Sequence, residues 1–362
     1  MNFKKILIFT LGFLISFSGF SQEAKDRNQE NINVNKFRQL YQEFSTPNMY
    51  RTASGAPGPA YYQQQADYKM DIELDDENKK IYGSETITYT NNSPDNLEYL
   101  WVQLDQNVRK KDSPSLLIDG SGVRPAYAPS GFTKEFLTDP FDGGFNIEYV
   151  VDENNKPLKY IVNQTMMRVD LPSVLKSGEK FSFSIKWWYN IQDHVNQDGR
   201  SGYETFDKDG NRVYIIAQFF PRMAVYNEVE GWQNYQFWGD GEFALPFGNY
   251  DVKITVPSDH ILDATGELQN RKNIFSKDMI KRFNKAKKTY DKPVMIVTQA
   301  EAEEAEKGFS KKKKTWHFQA ENVRDFAFAT SRKFIWDMMA VKIGDKDVMA
   351  VSMYPKEGNP LW

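Results

Sequence analysis

The chain reads as a mainly β protein built from antiparallel strands, and three observations predict it. Tyr68, Met70, Ile72 and Leu74 alternate with Lys69, Asp71 and Glu73, the period-two pattern of a strand with one buried face. After a turn at Asp75-Asp76-Glu77-Asn78, Ile81, Gly83, Glu85, Ile87 and Tyr89 share one face and Tyr82, Ser84, Thr86, Thr88 and Thr90 the other, which completes a hairpin. Further short apolar runs are separated by Gly, Pro, Asn and Asp, the punctuation of an antiparallel sandwich or saddle-shaped sheet.

At the N-terminus, Lys4 and Lys5 precede an apolar run from Ile6 to Phe17 and then Gly19-Phe20-Ser21. That order predicts a signal peptide over residues 1–21, cleaved near Ser21 and Gln22, and export to the periplasm, the cell surface or the medium. The apolar run is about half of the ~20 residues that span a bilayer, and no later stretch is apolar enough. No membrane-spanning segment is therefore expected after cleavage. Residues 22–65 are polar, and Ala53-Ser54-Gly55-Ala56-Pro57-Gly58-Pro59-Ala60 sustains neither helix nor strand, so this stretch is read as a linker. A short helix is predicted within it, with Phe37, Leu40, Tyr41 and Phe44 at helical spacing.

Beyond the first hairpin, Asn91-Asn92-Ser93-Pro94-Asp95 turns the chain into a strand from Leu97 to Leu104. Strands are predicted at Phe145–Val151, Lys159–Asn163, Met166–Leu171, Lys180–Asn190 and Val213–Gln218. Tyr250, Val252, Ile254 and Val256 alternate at the end of the aromatic-rich run from Tyr214 to Pro257. Two helical insertions interrupt the rhythm. Ser276 can cap a helix with Met279, Ile280, Phe283, Lys287 and Tyr290 on one side, and Thr298-Gln299-Ala300-Glu301 is a capping box opening a short acidic helix that stops at Gly308. The Lys311–Lys314 run that follows reads as a solvated face rather than a docking surface. A strand-like stretch follows at Val348–Met353.

Composition limits the functions open to the chain. With no Cys, an exported chain forms no disulfides and must rest on an ordinary core, for which 40% hydrophobic and 15% aromatic residues are ample. A formal net charge of -3 gives no basis for a nucleic acid or an anionic membrane as partner. The three histidines, His194, His260 and His317, are far apart in sequence and form no H-E-x-x-H, so they do not read as metal ligands. Asp240 and Glu242 could be read as paired carboxylates for acid–base work, but a Gly-bracketed turn is the plainer account of them. Arg324 and Asp325 read as a structural ion pair or turn clamp. No Ser nucleophile elbow, phosphate-binding Gly loop or Cys nucleophile is present.

Three phrases carry a family resemblance: Gln218-Phe219-Phe220-Pro221, Gly239-Asp240-Gly241-Glu242-Phe243 and Asn322-Val323-Arg324-Asp325-Phe326. With the flanking strands they resemble the N-terminal β-domain of aminopeptidase-N-like zinc metallopeptidases, the gluzincins, over roughly Ala66 to Trp362. The resemblance implies a saddle-shaped antiparallel β-sandwich at 66–333 with short helical insertions. It also implies that 334–362 is the truncated beginning of an α-helical or mixed catalytic domain. The family's H-E-x-x-H and Gly-x-Met-Glu motifs follow this β-domain, and the chain ends at Trp362 before either. The expectation is thus a fragment of an exported zinc aminopeptidase, inert alone, whose intact form would bind one zinc and act on peptide substrates. No catalytic residue and no metal ligand is assigned here.

In that family a β-domain loop opening with Gln reaches the catalytic cleft, and a Gln or Glu two residues on lines the first specificity pocket. The resemblance marks Gln218 and Phe220 as substrate-binding positions, with apolar Phe220 where the family carries a polar side chain. A backbone-pairing role at a strand end stays open for Gln218. The rival function is a stand-alone β-sandwich that binds peptides or glycans at the cell surface. Phe219, Phe220, Trp232, Tyr235, Phe237 and Trp238 would be its stacking platform, unless they are simply core.

Overall fold

The computed structural model describes residues 47–115, 126–133, 137, 141–195, 197, 199, 201–239, 241 and 243–360. The expected signal peptide, the helix around 34–44, Asp240, Glu242 and Trp362 lie outside the described residues. The chain divides into two compact units, one ending at Tyr61 and one starting at Tyr62. In the first, residues 47–61 carry no strand beyond an isolated bridge between Arg51 and Pro57, and the Arg51 guanidinium lies 5.1 Å over the Tyr61 ring. This agrees with a Pro/Gly-rich segment that lacks the donors and the periodicity for regular structure.

Among the described residues, the second unit carries twenty strands. In chain order these are β1 (Gln65–Asp75), β2 (Lys80–Thr90), β3 (Leu97–Gln103), β4 (Asn146–Asp152), β5 (Tyr160–Asn163), β6 (Met166–Leu175) and β7 (Lys180–Asn190). Then come β8 (Gly202–Thr205), β9 (Arg212–Ile216), β10 (Arg222–Met223), β11 (Tyr226–Asn227), β12 (Gly231–Trp232) and β13 (Gly248–Pro257). The last are β14 (Ile261–Ala264), β15 (Glu267–Leu268), β16 (Val294–Val297), β17 (Lys313–Val323), β18 (Phe328–Ser331), β19 (Ile335–Ile343) and β20 (Lys346–Tyr354). The protein is mainly β, as its alternating runs predict.

A seven-stranded sheet, ordered β15-β17-β13-β1-β2-β7-β4, is the frame. Its pairs are antiparallel except one: β1 runs parallel to β13, with Tyr68 opposite Tyr250 and Ile72 opposite Ile254. Periodicity sets which face of a strand is buried but not its neighbour's direction, so this pair was not readable beforehand. The buried face carries Tyr68, Met70, Ile72, Leu74, Ile87, Tyr89, Phe183, Ile185, Trp187 and the alternating residues of β13. Smaller sheets, β10-β3-β6-β5 and β14-β18-β9-β8, add Leu100, Val102, Met167, Val169, Tyr214, Ile216 and Phe328 to the same continuous core. Each fully buried large apolar side chain stabilises by roughly 1.5–3 kcal/mol. Gly83 is required in this layer, because a Cβ there would stand 2.3 Å from the Trp187 ring.

Both helical insertions form where their caps predict. In helix α3 (Lys277–Ala286), preceded by the single turns α1 (Pro129–Phe132) and α2 (Arg271–Ile274), the Ser276 side chain accepts a bond from the Met279 amide. Helix α4 (Gln299–Ala305) has a complete capping box between Thr298 and Glu301.

Trp336 and Met338, in the stretch the resemblance assigns to a catalytic domain, are buried. The chain from Ile335 forms a β-hairpin, and β19 pairs with β16 in the sheet β16-β19-β20. Trp336 meets Phe275 edge-on at 5.5 Å, and Phe275 in turn contacts Phe283 of α3 and Trp316 of β17. Residues upstream thus supply the cover these side chains need, and the 334 boundary does not separate them from the main core. The run Trp316–Ser331 is split between β17 and β18 in two sheets.

Candidate functional site

A loop of five residues, 217–221, leaves β9 and enters β10 at Arg222. Gln218 takes a left-handed backbone with φ 51°, which is uncommon for a residue with a Cβ and is held only where its surroundings over-determine it. What determines it is a short 3-10 helix, Asp105–Arg109, whose first three residues are polar yet buried. Each of the three grips a different segment. The Gln106 side-chain amide donates to the Gln218 carbonyl at 2.9 Å. Asp105 Oδ2 accepts from Arg222 Nη2 at 2.8 Å and from its Nε at 3.2 Å, at the far end of the same loop. Asn107 Nδ2 donates at 2.7 Å to the carbonyl of Gln164, itself left-handed with φ 54°, and Asn107 Oδ1 accepts from the Phe145 amide.

Arg222 also donates through Nη1 to Asp325 Oδ2 at 2.7 Å. Desolvation opposes its charge, but Asp105 and Asp325 outweigh it and hold the guanidinium above its ordinary value. Burial pushes the Asp325 carboxyl up, with Arg222 offsetting part of the rise. Both carboxylates serve this clamp, and the partner of Asp325 is Arg222 rather than its neighbour. Arg324 lies over the Phe247 ring at 5.6 Å, and its carbonyl accepts from the Tyr250 hydroxyl.

The two residues marked by the resemblance separate. Gln218 is half-buried, and its side-chain amide has no hydrogen-bond partner among the described residues, so two donors and an acceptor remain available. Phe220 has no exposed surface: it packs edge-on against Tyr68 at 5.4 Å and Tyr250 at 6.1 Å and touches Phe219 at 5.0 Å. Its apolar ring belongs to the core, so it offers nothing to a ligand in this conformation. Most of the supposed stacking platform goes the same way. Phe219, Phe220 and Phe237 are buried and Trp232 packs on Tyr89 and Tyr226, while Tyr235 is the exposed ring at 56%.

The histidines occupy separate elements. His260 is fully buried beyond β13, with Nδ1 3.2 Å from the Thr330 hydroxyl, and desolvation pushes it down to about 3. His317 Nε2 lies 3.0 Å from Asp251 Oδ1 across the β13–β17 pair. Among the described residues, Asp209, Glu306 and Glu357 bring carboxylate oxygens close enough to hold a cation. That centre is taken by the Lys333 ammonium, at 2.5, 3.0 and 2.9 Å from them. An all-carboxylate group closed on an internal ammonium does not fit zinc, which favours His and Cys donors with an open or tetrahedral shell.

The sequence reading missed Asp105, Gln106, Asn107 and Arg222. The available signal was a polar triplet placed directly after a buried strand, and an Arg immediately following the Gln-Phe-Phe-Pro phrase.

No known family model matches the sequence, and no curated protein matches it. Among solved structures, the M1 zinc metallopeptidase from Deinococcus radiodurans is similar at 11% identity and a TM-score of 0.43, over 88% of this chain and 51% of that one. A point mutant of that enzyme gives 10% identity with the same score and coverage. A two-domain M1 zinc metallopeptidase mutant bound to L-arginine gives 10% and 0.42, again over 88% and 51%. The chain spans about half the length of these structures.

Proposed function

We propose that this chain is the N-terminal β-domain portion of an exported zinc-dependent aminopeptidase, and that its contribution is to present Gln218 to the peptide substrate. The observation that carries this reading is the clamped loop. A strained, half-buried Gln with an unpaired amide is fixed at its own carbonyl by Gln106, and the end of its loop is fixed by the buried Arg222–Asp105 pair. Gln164 is left-handed and held by the same turn, but Gln218 adds an unpaired side-chain amide, and recognition of a peptide backbone needs a rigidly aimed amide. The clamp also joins two of the three phrases on which the resemblance rests, through Arg222 and Asp325.

On this reading the zinc, the water it activates and the carboxylate that holds the free amine belong to the rest of the enzyme, and this chain alone is inert. The test is to read the coding DNA beyond Trp362 and express the complete product. The expected result is an in-frame H-E-x-x-H, chelator-sensitive hydrolysis of aminoacyl anilides, and a higher KM with kcat little changed in Gln218→Ala. A complete product without that motif and without hydrolysis sinks the reading.

A further inference from the structure

A cleft of about 440 Å³ is lined by the β1–β2 turn, the segment that starts at Phe309, and the side chains of Arg212 and Arg332. Arg212 opens β9, whereas the Gln218 loop follows the other end of that strand. The two guanidiniums converge on one carboxylate. Arg332 Nη1 donates to Asp76 Oδ2 at 2.8 Å, and its Nε donates to Asp259 Oδ2 at 2.9 Å. Arg212 Nη1 donates to the Asp76 carbonyl at 2.8 Å and reaches Asp76 Oδ1 at 3.3 Å. With these bonds made, Nη2 of both arginines has no partner among the described residues, and Arg212 Nε is buried without one. The Arg332 side chain is only 2% exposed, and a donor left unpaired at such a depth is costly.

Phe309 is an independent sign of a built site. Its backbone is left-handed with φ 68°, its ring is 45% exposed, and that ring covers the Arg332 guanidinium at 4.9 Å. Strain of this kind persists where the surroundings hold it, ligand clamps included. The hold here is Asp259, whose Oδ2 accepts from the next amide, Ser310, at 2.7 Å as well as from Arg332. Leu74 and Pro257 add apolar surface to the same cleft.

We propose that this cleft binds an organic carboxylate, with the anion on the free edges of Arg332 and Arg212 and the apolar part of the ligand against Phe309. The planar guanidinium fork matches a carboxylate in geometry and supplies charge-assisted bonds. Asp75, Asp76 and Glu77 line the cleft too, so its field is close to neutral, and a dianion such as phosphate meets more repulsion than a single carboxylate does. Lys311 and Lys313 are already paired with Glu77 and Glu73 in exposed bridges, which leaves recognition to the arginines. The carboxylate comes from a small free acid or from the C-terminal residue of a peptide.

The test is calorimetric titration of the full chain with N-acetyl-phenylalanine, its amide, N-acetyl-Ala-Ala-Phe and inorganic phosphate. A ligand of about fifteen heavy atoms at ordinary efficiency reaches a Kd of about 0.5 mM, which is the value expected for N-acetyl-phenylalanine. The amide and phosphate should bind at least about tenfold more weakly. A tripeptide that binds more tightly than the single residue supports the peptide C-terminus as the source, and one that binds equally or more weakly supports the small acid. Arg332→Lys keeps a positive charge for Asp76 and Asp259 but lacks the free edge, and should weaken the acid about tenfold. Phe309→Gly suits the left-handed backbone, so it should keep the circular dichroism spectrum of the native chain and weaken the acid severalfold. Equal affinity for acid and amide, tighter binding of phosphate, no heat with the acid, or native affinity in Phe309→Gly overturns the proposal.

Discussion

Arg222 and Asp325 are 103 residues apart in sequence, yet Nη1 of the one donates to Oδ2 of the other at 2.7 Å, while the same guanidinium holds the buried Asp105. One side chain therefore ties the loop after β9, the polar turn after β3 and the segment between β17 and β18. Because Gln106 is next to Asp105, the ion pair and the bond that fixes the left-handed Gln218 share one rigid turn.

Replacing Arg222 tests that coupling. Arg222→Met leaves Asp105 buried without its partner, and breaking a buried pair from one side costs about 3–5 kcal/mol. Urea denaturation should show a loss of that size. Arg222→Lys should recover only part of it, since an ammonium cannot reproduce the planar fork. A loss below about 1 kcal/mol in the Met variant would mean the clamp is not a stabilising feature.

Glu85 supplies an opposite prediction. It stands on the buried face of β2, opposite Met70 and Ile185, and neither carboxylate oxygen has a partner among the described residues. Burial pushes its carboxyl well above the usual range, so the folded protein keeps the proton that the unfolded chain releases above about pH 4.5. This contribution lowers stability as pH rises. Glu85→Gln removes it: the variant should match the native chain near pH 4 and gain on it by up to about 1.4 kcal/mol per pH unit above pH 5. Thermal melts at pH 4 and pH 8 check this, and a variant less stable at pH 8 would refute it.

What was legible in the sequence and what was not divides along range. The hairpin β1–β2 and both helix caps are written in residues within a few positions of each other, so periodicity and capping chemistry exposed them. The parallel β1–β13 pair and the cover over Trp336 join residues far apart, and no local pattern encodes them. The site shows the same division. Gln218 was visible through its phrase, but Asp105 and Gln106 act on the loop across 117 and 112 residues and acquire their roles only in the folded chain. The burial of Phe220 was not readable, because its neighbours Tyr68 and Tyr250 lie on two other strands.

His260 should set the onset of acid instability. Its folded-state value lies near 3, below the ordinary 6.5, so between those values the unfolded chain binds a proton the folded chain refuses. Stability is therefore lost on acidification, by up to about 1.4 kcal/mol per pH unit, before most carboxylates titrate. His260→Asn keeps a polar atom near the Thr330 hydroxyl and has no proton to take up. Its stability should be flatter from pH 6 to pH 4 in urea titrations at each pH, and an unchanged slope would assign that loss to other groups.

The last prediction concerns the C-terminal hairpin. Deleting residues 332–362 removes Trp336 and Met338 from the layer that covers Phe275, Phe283 and Ile296. The same cut removes Arg332, which neutralises Asp76 and Asp259, and Lys333, which neutralises Asp209 and Glu306. Exposed aromatics and newly unpaired acids act in the same direction, so the shortened chain should lose several kcal/mol or fail to fold, and should associate on size-exclusion columns. A cut after Ile343 removes β20, whose side chains are mostly exposed, along with Lys356 and Glu357, and keeps β19, Arg332 and Lys333. It should cost less. If both chains are as stable and monodisperse as the full chain, β19 and its buried tryptophan are not part of the cooperative core.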